Sequence, residues 1–248
     1  MTYPKAYKGI KKLFVAGILS LAGSVCVWLA VIPGILGISA AFKGSLGGFF
    51  AGGIITFVFL LAGLLLPIIA YILKLVGLEQ ARHEEPQFHQ GFLFAILALI
   101  FILVDTVFSA CGIGGAVIEE VVGTAYGIFD IIVTVFVIRS IRTLAGKLKD
   151  ARMVQRSSSL VWYVTVFYAT GLFAGLLSVL FESSVVMQIL AGMLSLIAGI
   201  LNLIVYIIFL VFLGRAKKML KNSMETPPDD SLKSVIMANS GSEELNPV

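Results

Sequence analysis

Two carboxylates inside long apolar runs carry the clearest chemical potential in this sequence. Asp105 lies between Leu103-Val104 and Val107-Phe108, and Asp130 stands inside the following apolar run, about nine residues from its basic end. An ionised side chain at mid-bilayer costs at least about 2.5–3.5 kcal/mol and needs a compensating partner, so such residues commonly serve ion sites, proton relays or solute paths. The interiors of the apolar runs are read as free of lysine and arginine. Each carboxylate is therefore expected to be protonated, hydrogen-bonded, wetted, or bound to a cation from outside the chain.

Depth along a helix suggests partners. With a rise of about 1.5 Å per residue, Asp105 lies about 21 Å from the basic end of its run and Asp130 about 13 Å. Asn202, at about 18 Å, falls near the level of Asp105, and Tyr168, at about 12 Å, near that of Asp130. Glu119, Gly123, Tyr126, Gly127 and Asp130 follow helical spacing and form one small and polar stripe. Tyr168, Gly171, Gly175, Ser178 and Glu182 repeat the theme, as do Gly192, Ser195, Gly199 and Asn202. Glu119 and Glu120, then Asp105, then Asp130 make a descending series of acids across one hairpin, a candidate path for a cation or a proton-coupled solute. Small residues four apart also permit close helix packing in lipid, which gives Gly123, Gly127, Gly171, Gly175, Gly192 and Gly199 a structural reading as well.

Other chemistries fit poorly. Glu79 and His83 are four apart, but a zinc-protease motif starting at His83 would need histidine at position 87, which is Gln87, and Pro86 would break the helix. No metal site is assigned. Cys26 and Cys111 lie at depths that differ by about 10 Å, more than a disulfide spans. Glu119-Glu120 resembles the start of the Glu-Glu-x-x-x-Arg motif of prenyl-directed membrane proteases, but Thr124 occupies the arginine position and neither histidine lies in an apolar run. Rhomboid chemistry also lacks its Gly-x-Ser-Gly and its base. No catalytic residue and no cofactor is assigned, and an enzyme is not expected.

The elements that must position these residues follow from composition. The chain has 248 residues, 59% hydrophobic and 13% charged, against about 25% charged in soluble domains. Six apolar stretches, 13–33, 52–76, 91–112, 113–138, 160–181 and 185–213, can each cross a bilayer core of about 30 Å. Backbone groups in lipid must be satisfied internally and the alternation of barrel strands is missing, so the fold class is all-α, a polytopic membrane protein of six transmembrane helices. The first stretch is too long for a signal-peptide core and has only a weak cleavage candidate at Ile38-Ser39-Ala40, so it is read as a retained helix.

Seventeen of the eighteen lysines and arginines fall on one side of this arrangement, Lys43 being the exception. The positive-inside rule makes that side cytoplasmic. The expectation is three tandem hairpins with both termini in the cytosol, in a bacterial plasma membrane. The transmembrane domain covers residues 1–221 and a disordered tail 222–248, rich in Ser, Asn, Glu and Pro. The tandem layout is similar to that of mitochondrial carriers, but their Pro-x-acidic-x-x-basic signature is missing from every odd span, which excludes that family.

Between the fourth and fifth stretches, Arg139 to Ser158 place Ile141, Leu144, Leu148 and Ala151 at helical spacing, with Arg142, Lys149, Arg152 and Arg156 on other faces. The segment reads either as an extension of span four lying on the membrane surface, where each basic residue gains about 1 kcal/mol from anionic lipid, or as a set of basic residues that only determine the topology. The expected partners are the lipid bilayer, anionic lipid among it, and a second copy or a partner membrane subunit, with no nucleic acid. The function read from these residues is a small transporter or permease subunit moving a cation or a proton-coupled solute past Asp105 and Asp130. The alternative is a scaffold or regulatory subunit acting through its basic face.

Overall fold

The apolar runs fold as six long helices in the computed structural model: α1 (Pro4–Phe42), α2 (Leu46–Ala81), α3 (Gln87–Cys111), α4 (Ala116–Lys147), α5 (Ala151–Leu180) and α6 (Val185–Glu225). The structure describes residues 2–42, 46–111, 116–180 and 185–225. Among these, five helices are long and apolar enough to cross a membrane. The chain is a polytopic helical membrane protein. Its large outward side chains, such as Trp28, Phe57 and Leu196, are exposed, as an apolar solvent requires.

Each helix packs against its neighbours in sequence, and α6 returns to α1, closing a six-helix ring; α4 also touches α6. The tightest approach is between α1 and α2. A Cβ on Gly9 would stand 2.5 Å from the carbonyl oxygen of Gly77, and one on Gly63 would stand 2.6 Å from Val27. Gly23 likewise admits the ring of Pro67, 2.7 Å from where its Cβ would be. Pro67 lies inside α2 and cannot donate to the carbonyl one turn before it, which belongs to Gly63.

The glycines expected from their spacing to pack helices sit differently. Gly123, Gly192 and Gly199 are exposed, with nothing within 4 Å of a Cβ, because they lie where the helices turn these faces away from one another. Gly127 is half-buried, and Gly171 faces Asn202. The surroundings of Gly175 lie outside the described residues.

The buried core gathers toward the basic end. Ile10 and Leu78 meet Phe88, Ile138, Ile141, Leu144 and Leu220 there, all fully buried. The segment Arg139 to Ser158 is not one surface helix. It is the end of α4, a turn, and the start of α5, because Lys149 adopts a left-handed backbone (φ 58°) and the Asp150 carboxylate accepts the Met153 N–H at 3.0 Å. Ile141 and Leu144 consequently point into the core. Arg142, Lys149, Arg152 and Arg156 remain exposed at the turn. Residues 222–225, expected in the tail, continue α6, and 226–248 lie outside the described residues.

The turn between α2 and α3 straps this end together. Both Glu84 carboxylate oxygens accept first-turn N–H groups of α1, from Lys5 at 2.9 Å and Ala6 at 2.7 Å. Those N–H groups have no partner inside the helix, and the helix dipole favours a carboxylate beside them. Next to it, the buried Glu85 pairs with Lys147 at the end of α4, 2.6 Å away.

Candidate functional site

Inside the ring lies a cavity of about 370 Å³ to which all six helices contribute walls. Most of its lining is apolar, for example Leu13, Ile102, Val133 and Phe209. Its polar groups come from five helices: Ser20 on α1, Tyr71 and Lys74 on α2, Tyr126, Asp130 and Thr134 on α4, Tyr168 on α5, and Tyr206 on α6. Spacing explains their convergence. Tyr71 and Lys74 are three apart, and Tyr126, Asp130 and Thr134 four apart, so each set occupies one helix face.

Lys74 overturns the expectation that no cation reaches the span interiors. Its ammonium forms an ion pair with the Asp130 carboxylate and lies over the Tyr71 ring, 5.7 Å from the centroid. The reason is geometric. Lys74 falls near the end of the second apolar stretch and counts among the loop charges by position, but α2 continues to Ala81 and carries it in the wall of the bundle. The pair is partly enclosed, with side-chain exposures of 22% for Lys74 and 27% for Asp130.

Hydroxyls surround the pair in two conditions. Tyr71 donates to the carbonyl of Ala95 at 2.5 Å and Tyr206 to that of Gly17 at 3.0 Å, which fixes these rings against α3 and α1. The hydroxyls of Tyr126 and Tyr168 make no hydrogen bond with any described residue, although both line the cavity. Thr134 turns its hydroxyl back onto the Asp130 carbonyl at 3.0 Å. Among the described residues, then, nothing competes with a guest for these two hydroxyls.

The other expected site residues are placed as follows. Asp105 is half-buried on α3 and does not line the cavity; it stands one turn, about 4.5 Å, past Ile102, which does. It makes no ion pair or hydrogen bond with any described residue. Asn202 lies one turn beyond Val205 on α6, packs its amide nitrogen 3.2 Å from where a Gly171 Cβ would be, and leaves its carbonyl oxygen buried with no partner among the described residues. Glu119 and Glu120 belong to the first turns of α4, and their side chains lie outside the described residues. Glu79 pairs with Arg82 at 2.5 Å. The structure thus brings Asp130 and Tyr168 into one cavity and leaves Asp105 and Asn202 beyond its rim.

Sequence reasoning missed Lys74, Tyr71, Tyr206 and Ser20. A signal was present in Tyr71-x-x-Lys74, an aromatic and a cation on one face of an otherwise apolar helix.

No protein-family model, no curated protein and no solved structure matches this chain. Its site is read from its own geometry.

Proposed function

We propose that the protein is a small membrane transporter or permease subunit, and that its solute occupies the cavity around Lys74 and Asp130. The observation that carries this reading is the convergence of all six helices on a mostly apolar chamber holding one ion pair and two hydroxyls that no described residue engages. Binding sites for small molecules have this character, an apolar wall with a few placed polar groups, and in helical bundles they lie between the helices. A bundle built only for support gains nothing from such a chamber, since replacing an internal ion pair with apolar packing is often neutral or stabilising.

In this reading the basic end faces the cytosol of a bacterial cell, in keeping with the positive-inside rule. Asp130 replaces Asp105 as the residue whose charge matters for flux, because Asp130 lines the chamber. The exposed Arg142, Lys149, Arg152 and Arg156 give the scaffold alternative its own support, as a cationic surface fit for anionic lipid or an acidic partner.

The test is flux in liposomes made with purified protein. Asp130→Asn should abolish uptake of the transported solute while the protein stays monodisperse, and Asp105→Asn should retain it. Full flux from Asp130→Asn, or loss in Asp105→Asn alone, would reject the chamber as the route.

A further inference from the structure

Charge balance in the chamber restricts which charged guests it can hold. Lys74 and Asp130 are the charged residues among those that line it, and they neutralise each other. A guest that carries only a positive charge could take Asp130 from Lys74, but the lysine ammonium would then be stranded among apolar walls. A guest with only a negative charge would strand Asp130 in the same way. Separating a sheltered pair is costly because it leaves an uncompensated charge in a medium of low dielectric constant. A guest bearing both charges can part the pair and leave neither alone.

We infer that the chamber takes a zwitterionic small molecule with an apolar or aromatic body, of the α-amino acid class. This rests on the transport reading for its biological sense, though not for its chemistry. The guest's ammonium replaces that of Lys74 on Asp130, and its carboxylate takes Lys74 together with the hydroxyls of Tyr126 and Tyr168. Tyrosine ring faces favour a nearby cation, as Lys74 over Tyr71 already illustrates. The apolar lining receives the body of the guest. At about 370 Å³ the chamber falls at the lower end of the range, about 300–1,000 Å³, of pockets that hold small molecules.

Binding to purified full-length protein in nanodiscs, followed by calorimetry, tests this with three probes of one shape: L-phenylalanine, phenethylamine and 3-phenylpropanoate. The zwitterion should bind at least about ten-fold more tightly than either singly charged probe. Lys74→Gln should move the preference to the amine and Asp130→Asn to the acid. Tyr126→Phe, a mild change that keeps the ring, should weaken the amino acid and the acid more than the amine. Wild-type protein that binds the amine or the acid as tightly as the amino acid, or binds none of the three, overturns the inference without recourse to any variant. Uptake of labelled phenylalanine into liposomes separates the two proposals. Binding without flux defeats transport and leaves the ligand class standing, whereas flux of the amine or acid with the amino acid excluded defeats the ligand class and leaves transport standing.

Discussion

The two ends of the bundle are built on different principles. At the basic end, α1 and α2 touch backbone to backbone at Gly9 and Gly77, the α2–α3 turn straps α1 and α4 through Glu84 and Glu85, and bulky side chains are fully buried. Toward the other end, the described helices expose Trp28, Ile35, Phe57, Val121 and Leu196, and glycines 123, 192 and 199 face open space. The chamber lies between these regimes, with Asp130 on the packed side and Asp105 beyond the rim. The lesson is that two aspartates in similar apolar runs can have unlike surroundings, because packing and not local sequence decides whether a charge finds a mate.

The largest expected effect breaks the ion pair. Asp130→Leu should lower stability by about 3 kcal/mol, the lower end of the range for stranding one member of a buried pair, given the partial exposure of this one. The double change Lys74→Met with Asp130→Leu should recover most of that loss. Unfolding followed by tryptophan fluorescence in detergent would read both, and a double variant no better than the single would show that the pair is not the source.

Overpacking the close helix contact comes next. Gly9→Ala places a methyl group against the Gly77 carbonyl and should cost about 1–3 kcal/mol. Gly123→Ala at the open end has no atom to strike and should stabilise by up to about 1 kcal/mol through helix propensity. Equal melting shifts for the two variants would erase the contrast between the ends.

A smaller effect is expected from the strap. Glu84→Ala removes the cap on α1 and should cost about 0.5–2 kcal/mol, with hydrogen exchange accelerated in residues 4–8 before any change near the chamber. Uniform acceleration along α1 would mean that the cap does not act locally.

The smallest effect belongs to Asp105→Leu. With no partner among the described residues to lose, it should melt within about 0.5 kcal/mol of the parent or above it. A loss as large as that of Asp130→Leu would place Asp105 in the same class as its counterpart.

The number and type of elements were legible because apolar runs long enough to cross a bilayer leave the backbone no alternative to the helix. Which faces turn inward was not. In lipid both faces of a helix are apolar, so the one-sided patterning that orients helices in water is weak, and the small-residue stripes of α4 and α6 point to lipid as readily as to a neighbour. The site was half legible for the same reason. Asp130 and Tyr168 could be placed at one depth by counting residues, whereas the role of Lys74 depends on α2 running on past its apolar stretch and on α4 standing opposite.

The ring also sets an order of events during synthesis. Its closing bond, from the Tyr206 hydroxyl to the Gly17 carbonyl, joins groups 189 residues apart. At about 5–20 residues added per second, α1 emerges on the order of ten to forty seconds before its last neighbour exists. Until then the cleft beside it, with the polar groups of α1 and α2, stands open to whatever the nascent chain meets in the membrane. A chain that stops short of Tyr206 has five walls and lacks the α6 groups that complete the sixth, so the cavity closes only when the last helix is in place.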